Sequence, residues 1–321
     1  MQTQNPEEKR NEILEKYKLG SKVSASSMLK MPKLTLEDRK QLFITHDFIP
    51  FPKNSVSLIA AAGGSGKTFL SIIVACEHVL KEHRKGNSSK VLLWLSEDAD
   101  YIVADRLNLV INIIRNYSDE EIEIISENIY FWTASDHFPF HFAHLHGSTL
   151  VENKEILPLF QEQIDEMGVD LLIIDPLLNF FGGEENSNSQ ARSFINILNR
   201  WATESQKTII LLHHAGKGED SFARGASAFA DSSRFVITLE KIKVEDPDTG
   251  KLVISDSPDD RYDRMVVIKK DNYGAPALLR AIGIDPEELR IQVLPHVFTL
   301  DEKKELEDFD KVLENVYGGV K

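Results

Sequence analysis

Val56-Ser57-Leu58-Ile59-Ala60-Ala61-Ala62-Gly63-Gly64-Ser65-Gly66-Lys67-Thr68 joins an apolar run of strand length to a segment, Lys67–Lys81, whose apolar residues recur at helical spacing. A Gly-rich turn between a strand and a helix is the setting in which a phosphate loop is physically credible. Gly63, Gly64 and Gly66 let backbone N–H groups turn inward on a β-phosphate, and the helix N-terminus adds its positive dipole end. Lys67 then reaches the β- and γ-phosphates, and Thr68 supplies a hydroxyl for Mg²⁺. Ala62 and Phe69 flank this cradle and are assigned to it with the residues between them. The general pattern opens on Gly where this chain has Ala61, which is tolerable while that residue keeps φ below zero. A Gly-rich turn that merely ends in Lys-Thr is the alternative, and the flanking strand and helix weigh against it.

Outward from the loop, short β-branched runs alternate with helical periods. Strands are expected at Val56–Ala60, Val91–Ser96, Ile129–Trp132, Val169–Ile174, Thr208–His213, Phe235–Glu240 and Met265–Lys270. Helices are expected at Lys67–Lys81, Asp100–Tyr117, Lys154–Met167 and Gln190–Ser205. Such alternation builds an α/β fold, a largely parallel twisted sheet flanked by helices on both faces. The expected division is an N-terminal helical arm and linker over 1–45, a core over 46–284 with antiparallel C-terminal strands, and a strand-and-helix extension over 285–321. Within these, Pro6–Leu19 reads as a short amphipathic helix, Ser21–Ser27 as a link, Glu245–Asp263 as an exposed excursion rich in turn pairs, and Asp301–Val316 as a charged helix.

Two further apolar strands end in acids, and in an open parallel sheet the carboxyl ends of strands face the ligand crevice. Leu171–Ile174 ends at Asp175, placed to hold the water shell of the metal; a simple loop cap is the competing reading. Val91–Ser96 ends at Glu97 and Asp98. Glu97 is favoured as the general base that orients the attacking water, with Asp98 as a cap for the next helix, although adjacent acids before a helix also serve as caps alone.

Composition sets limits. The 321 residues carry a net charge of −14, which argues against a surface that grips duplex DNA broadly, since phosphate binding needs clustered Lys and Arg. No apolar run is long enough to cross a bilayer, so no membrane role is expected. The opening MQTQNPEEKR lacks the apolar core of a secretory signal and the single Cys76 lies in an apolar stretch, so a cytoplasmic location is expected.

Beyond the loop, Ser96-Glu97-Asp98, the segment Asp175–Asn186, the pair His213-His214, Arg224-Gly225-Ala226-Ser227, Asp231-Ser232-Ser233-Arg234 and Lys270-Asp271-Asn272-Tyr273-Gly274-Ala275-Pro276 occur in order across Ser55–Pro276. Together they resemble the RepA family of plasmid replicative helicases within the RecA-like superfamily of AAA and P-loop ATPases. The resemblance implies a RecA-like core that binds ATP and Mg²⁺, assembles with itself as a hexameric ring, and acts as a helicase on single-stranded DNA in plasmid or mobile-element replication. It implies catalytic roles for Lys67, Glu97, Asp175, His213, His214 and Arg234. One of the two His would sense the γ-phosphate, and Arg234 would be a finger reaching into the neighbour's site. Arg106 would lie against the adenine, or else be a solvated helix residue, and Lys270 would be a second trans-acting cation.

The loops after the Asp175 and His213 strands would face the bore of the ring. The first carries Glu184 and Glu185, which repel phosphate, so DNA contact is assigned to Lys217 and Arg224 of the second. His137, His141, His144 and His146 crowd one segment, but the interleaved Phe138, Pro139, Phe140 and Phe142 point to a packed loop rather than a metal site. Two rival functions stay open: a recombination or regulatory RecA-like ATPase that does not unwind, and a non-catalytic nucleotide-switch module.

Overall fold

Leu171-Leu172-Ile173-Ile174 presents no polar side chain to either side, and such a run is stable as a strand only where both faces are covered. In the computed structural model, which describes residues 10–11, 24–214, 226–245, 252–254 and 263–294, it lies deep inside an eight-stranded sheet. In chain order these strands are β1 (Val56–Ala61), β2 (Lys90–Leu95), β3 (Ile129–Thr133), β4 (Val169–Asp175), β5 (Thr208–His214), β6 (Phe235–Lys241), β7 (Arg264–Asp271) and β8 (Arg290–Ile291). Their spatial order is β8-β7-β6-β1-β5-β4-β2-β3. The six from β6 to β3 run parallel, and β7 and β8 close one edge antiparallel. The chain has the α/β architecture of a RecA-like core.

Among the described residues seven helices accompany the sheet: α1 (Lys67–Arg84), α2 (Asp100–Leu109), α3 (Asp119–Asn128), α4 (Leu157–Glu166), α5 (Asn188–Glu204), α6 (Ala226–Ser232) and α7 (Ala275–Ala281). Strand side chains alternate between faces, so each strand feeds two cores. In β5, Ile210 and Leu212 pack with Leu70 and Ile73 of α1 and Leu278 of α7, whereas Ile209 and Leu211 pack with Phe194 and Leu198 of α5 and Phe229 of α6. Trp94 anchors the second core, edge-on to Phe180 at 4.6 Å and to Trp132 at 4.9 Å.

The helix expected over Asp100–Tyr117 is shorter: α2 stops at Leu109 and a π-helical turn occupies Val110–Ile114. α3, which had not been anticipated, begins at a capping box in which the Ser118 hydroxyl accepts from Glu121 N–H while the Glu121 carboxylate accepts from Ser118 N–H. The packed loop expected around the His cluster is in part a hairpin, Ala143–His146 paired with Thr149–Glu152. The core does not end at residue 284, because β8 joins the main sheet. Part of the expected excursion is also paired, Lys243–Glu245 with Leu252–Ile254.

The chain divides into two compact units, Met1–Arg39 and Lys40–Lys321. In the first, a short helix Ala25–Leu29 starts at Ser24, whose hydroxyl accepts from Ser27 N–H. Of the expected Pro6–Leu19 helix, residues 10 and 11 are helical and the rest lies outside the described residues, as does Asp301–Val316. Among the described residues no helix is long and apolar enough to cross a membrane.

Candidate nucleotide site

β1, β2, β4 and β5 are parallel neighbours, so their carboxyl ends open on one side, and the loops there line a cavity of about 350 Å³. Gly64–Phe69, Glu97, Asp98, Arg106, Asp175, His214 and Leu294 form its walls. The loop itself needs its glycines. Gly64 and Gly66 have φ of +71° and +94°, a left-handed conformation that costs residues with a Cβ but not Gly. A Cβ on Gly63 or Gly64 would meet nothing within 4 Å, so the space above the turn is open for a ligand. Ala61, at the position where the pattern has Gly, stays within β1 and pairs in register with His214.

Lys67 opens α1 with its side chain buried, and its ammonium donates to the carbonyls of Ala61 at 2.8 Å and Ala62 at 3.0 Å. His214 Nδ1 lies 3.2 Å from the same Nζ. Burial pulls the Lys67 pKa below its ordinary value, and the charges of Asp175 and Glu97 push the other way. Thr68 Oγ1 donates to Asp175 Oδ2 at 2.7 Å. Burial raises the Asp175 pKa above the usual carboxylate value, opposed by the Thr68 hydrogen bond and by Lys67. The backbone of Asp175 is held across the strand pair: its carbonyl accepts from Ser96 N–H at 2.9 Å and Ser96 Oγ at 3.1 Å, and Asn179 Nδ2 donates to that hydroxyl at 2.9 Å.

The two acids after β2 have different surroundings. Glu97 is exposed at the cavity wall with Lys67 and Asp175. Asp98 does not cap α2, whose N-cap is Ala99 with no side-chain cap; its carboxylate instead pairs with the Arg106 guanidinium. Arg106 lines the cavity and is held there by Asp98.

His213 and His214 occupy opposite faces of β5, as period-two alternation requires. His214 is on the α1 face beside Lys67. His213 is fully buried on the other face, 5.3 Å from the Phe229 ring and with Glu185 Oε1 4.0 Å from its Nε2, so it does not line the nucleotide cavity. Burial, then the charges of His214 and Lys67, lower its pKa to about 4; burial does the same to His78, whose Nε2 is 2.9 Å from Ser89 Oγ. Both imidazoles are thus neutral when folded and take up protons on unfolding below about 6.5. Stability should therefore fall as pH drops from about 6.5 towards 4, by up to about 3 kcal/mol for each group. Melting temperatures taken across that window check this, and His213→Gln should show a shallower decline than the parent.

Arg234 and Lys270 lie at the other end of the sheet. Arg234 is exposed immediately before β6, whose Phe235 pairs with Ser57, some four residues or ~13 Å of strand short of the phosphate loop. Lys270 pairs with Val236, and its ammonium donates to the carbonyls of Asp231 at 2.5 Å and Ala230 at 3.4 Å near the end of α6, a position where a cation is favourable. Neither can reach the nucleotide cavity of its own chain. Lys217 and Arg224 lie outside the described residues. The loop after β4 is packed rather than open: Phe180 and Phe181 are buried, and a Cβ on Gly182 would come within 2.2 Å of the Ala143 carbonyl. Among the described residues no three His, Cys, Asp or Glu form a group fit for a metal.

A Gly-rich loop ending in Lys67-Thr68, bonded to an acid at the end of a parallel strand two places away in the same sheet, is the site of a P-loop ATPase. Residues 44–220, more than half of the 321-residue chain, match the family model described as an AAA domain, and the chain belongs to that family. A comparison with curated proteins returned no match.

Proposed function

We propose that the chain hydrolyses Mg-ATP at the boundaries between subunits of a ring and uses it to move along single-stranded DNA and unwind duplex, as the RepA-like replicative helicases of plasmids do. The observation that carries the ATPase half is the 2.7 Å Thr68–Asp175 bond beside the buried Lys67. A hydroxyl and a carboxylate are hard oxygen donors, the set that suits Mg²⁺, which keeps most of its remaining ligands as water and phosphate. Thr68 and Asp175 would hold the metal, directly and through water, and the metal supplies charge neutralisation at the β- and γ-phosphates.

The residues of the chain divide the remaining work. Lys67 leaves the Ala61 and Ala62 carbonyls for the phosphate oxygens, Glu97 orients and deprotonates the attacking water, and His214, in contact with Lys67, registers the γ-phosphate. Support for a shared site comes from Arg234, an exposed cation that lies too far from the cavity of its own chain to serve it. The ring and the DNA rest on the resemblance in ordered motifs, with Lys217 and Arg224 as the contacts to the strand.

The test is displacement of the annealed strand from a forked duplex by the full chain with ATP, together with the mass of the assembly. Hydrolysis without displacement would identify a RecA-like ATPase that does not unwind. In the same assay Lys217→Ala/Arg224→Ala is expected to abolish DNA-stimulated hydrolysis while basal hydrolysis persists; undiminished stimulation refutes the assignment.

A further inference from the structure

The phosphate loop is held from beneath by the far end of the core. Arg264, the first residue of β7, is buried, and its Nε donates to the Ser65 carbonyl at 2.9 Å across a sequence separation of 199 residues. Its Nη1 donates to the Asp263 carbonyl at 2.6 Å. The Asp263 carboxylate in turn accepts from Val293 N–H at 3.0 Å and Leu294 N–H at 2.6 Å. That clamp sets Val293 against the loop so tightly that a Cβ on Gly66 would lie 2.6 Å from Val293 Cγ2. Leu294, the next residue, reaches the wall of the nucleotide cavity.

A trans peptide directs its carbonyl and the following N–H to opposite sides. Fixing the Ser65 oxygen on Arg264 therefore aims the Gly66 N–H away from Arg264, towards the open side of the turn. Val293 blocks the loop from relaxing the other way.

We infer that Arg264, with the Asp263 clamp on Val293 and Leu294, is a positioning residue for phosphate recognition: it presets the Ser65–Gly66 peptide in its donating orientation. The inference rests on the reading of this cavity as a triphosphate site. All four residues lie beyond the matched segment 44–220, so the brace adds to the AAA domain proper. Because a preset loop grips the nucleotide before and during reaction alike, its loss should raise KM rather than lower kcat.

The experiment is titration of the full chain with a fluorescent ATP analogue, alongside steady-state hydrolysis and thermal melting, for the parent, Arg264→Gln, Arg264→Lys and Val293→Ala. A hydrogen bond from a charged donor is lost in Arg264→Gln, so affinity and KM should weaken by about tenfold or more while kcat changes by less than about threefold. Arg264→Lys, which keeps a cationic donor, should recover part of the loss. If Arg264→Gln fails to fold, Val293→Ala decides, since it keeps every hydrogen bond and frees only the packing on Gly66; a weakening of about two- to fivefold is expected. Folded variants that bind the analogue as tightly as the parent overturn the brace, whatever their melting temperatures. A parent that does not bind the analogue overturns the nucleotide reading itself, and the brace with it, so the two failures are told apart by the parent alone.

Discussion

Glu97→Gln should lower ATP turnover by about 10²–10⁴-fold with nucleotide binding retained, the range expected when a positioned general base is removed. Gln is nearly isosteric with Glu, so nothing in the exposed cavity wall is left unfilled, and removing a negative charge near the phosphates does not weaken binding. The loss should therefore fall on kcat and not on KM. Asp98 is the rival for the role, being next in sequence and lining the same cavity. Its carboxylate is already engaged by Arg106, which leaves it poorly placed to take a proton from water. Single-turnover hydrolysis with excess enzyme checks the assignment; turnover of Glu97→Gln within about twofold of the parent would remove Glu97 from the mechanism.

The parts of this molecule visible in its sequence are those whose physics is local. Six parallel strands and the one after them were expected within one or two residues of their bounds, because strands covered on both faces must be continuous apolar runs. The phosphate loop was visible for a like reason, since Gly64 and Gly66 carry the conformations that demand glycine. Helix α3 carries a readable start in Ser118 and Glu121, three residues apart. Period-two alternation along β5 could have separated His214 from His213, given that Ile210 and Leu212 share the α1 face.

What stayed hidden depends on contacts between distant segments. Nothing around Arg264 announces that it meets Ser65, and nothing in Asp98-Ala99-Asp100 distinguishes a cap from a partner for Arg106 eight residues on. The hairpin Ala143–Glu152 was obscured by residues 137–142 just before it, whose His and Phe read together as one packed loop; the Phe142 N–H leading into it donates to the Phe180 carbonyl at 2.9 Å. Phe140 and Phe142 pack into the second core around Trp94, whereas Phe138 is exposed.

Arg234→Ala is expected to cost about 10³-fold or more in kcat, the loss that follows when an arginine finger no longer stabilises charge on the transferring phosphoryl group. The side chain lies at the amino end of the parallel sheet, away from its own cavity, so in the proposed ring the damage is expected in a neighbour's site and not its own. Mixing separates this from a folding defect. In a ring, a subunit lacking Glu97 can still offer Arg234, and a subunit lacking Arg234 can still hydrolyse if its neighbour supplies the finger. Equal amounts of Glu97→Gln and Arg234→Ala chains, each nearly inactive alone, should then regain about a quarter of parental turnover, the fraction of boundaries that randomly pair an intact Glu97 with an intact Arg234. A surface ion-pair role would give no recovery on mixing, because each chain would carry its own defect unchanged. Recovery that appears only under conditions in which the chains exchange partners would tie the chemistry to the boundary between them.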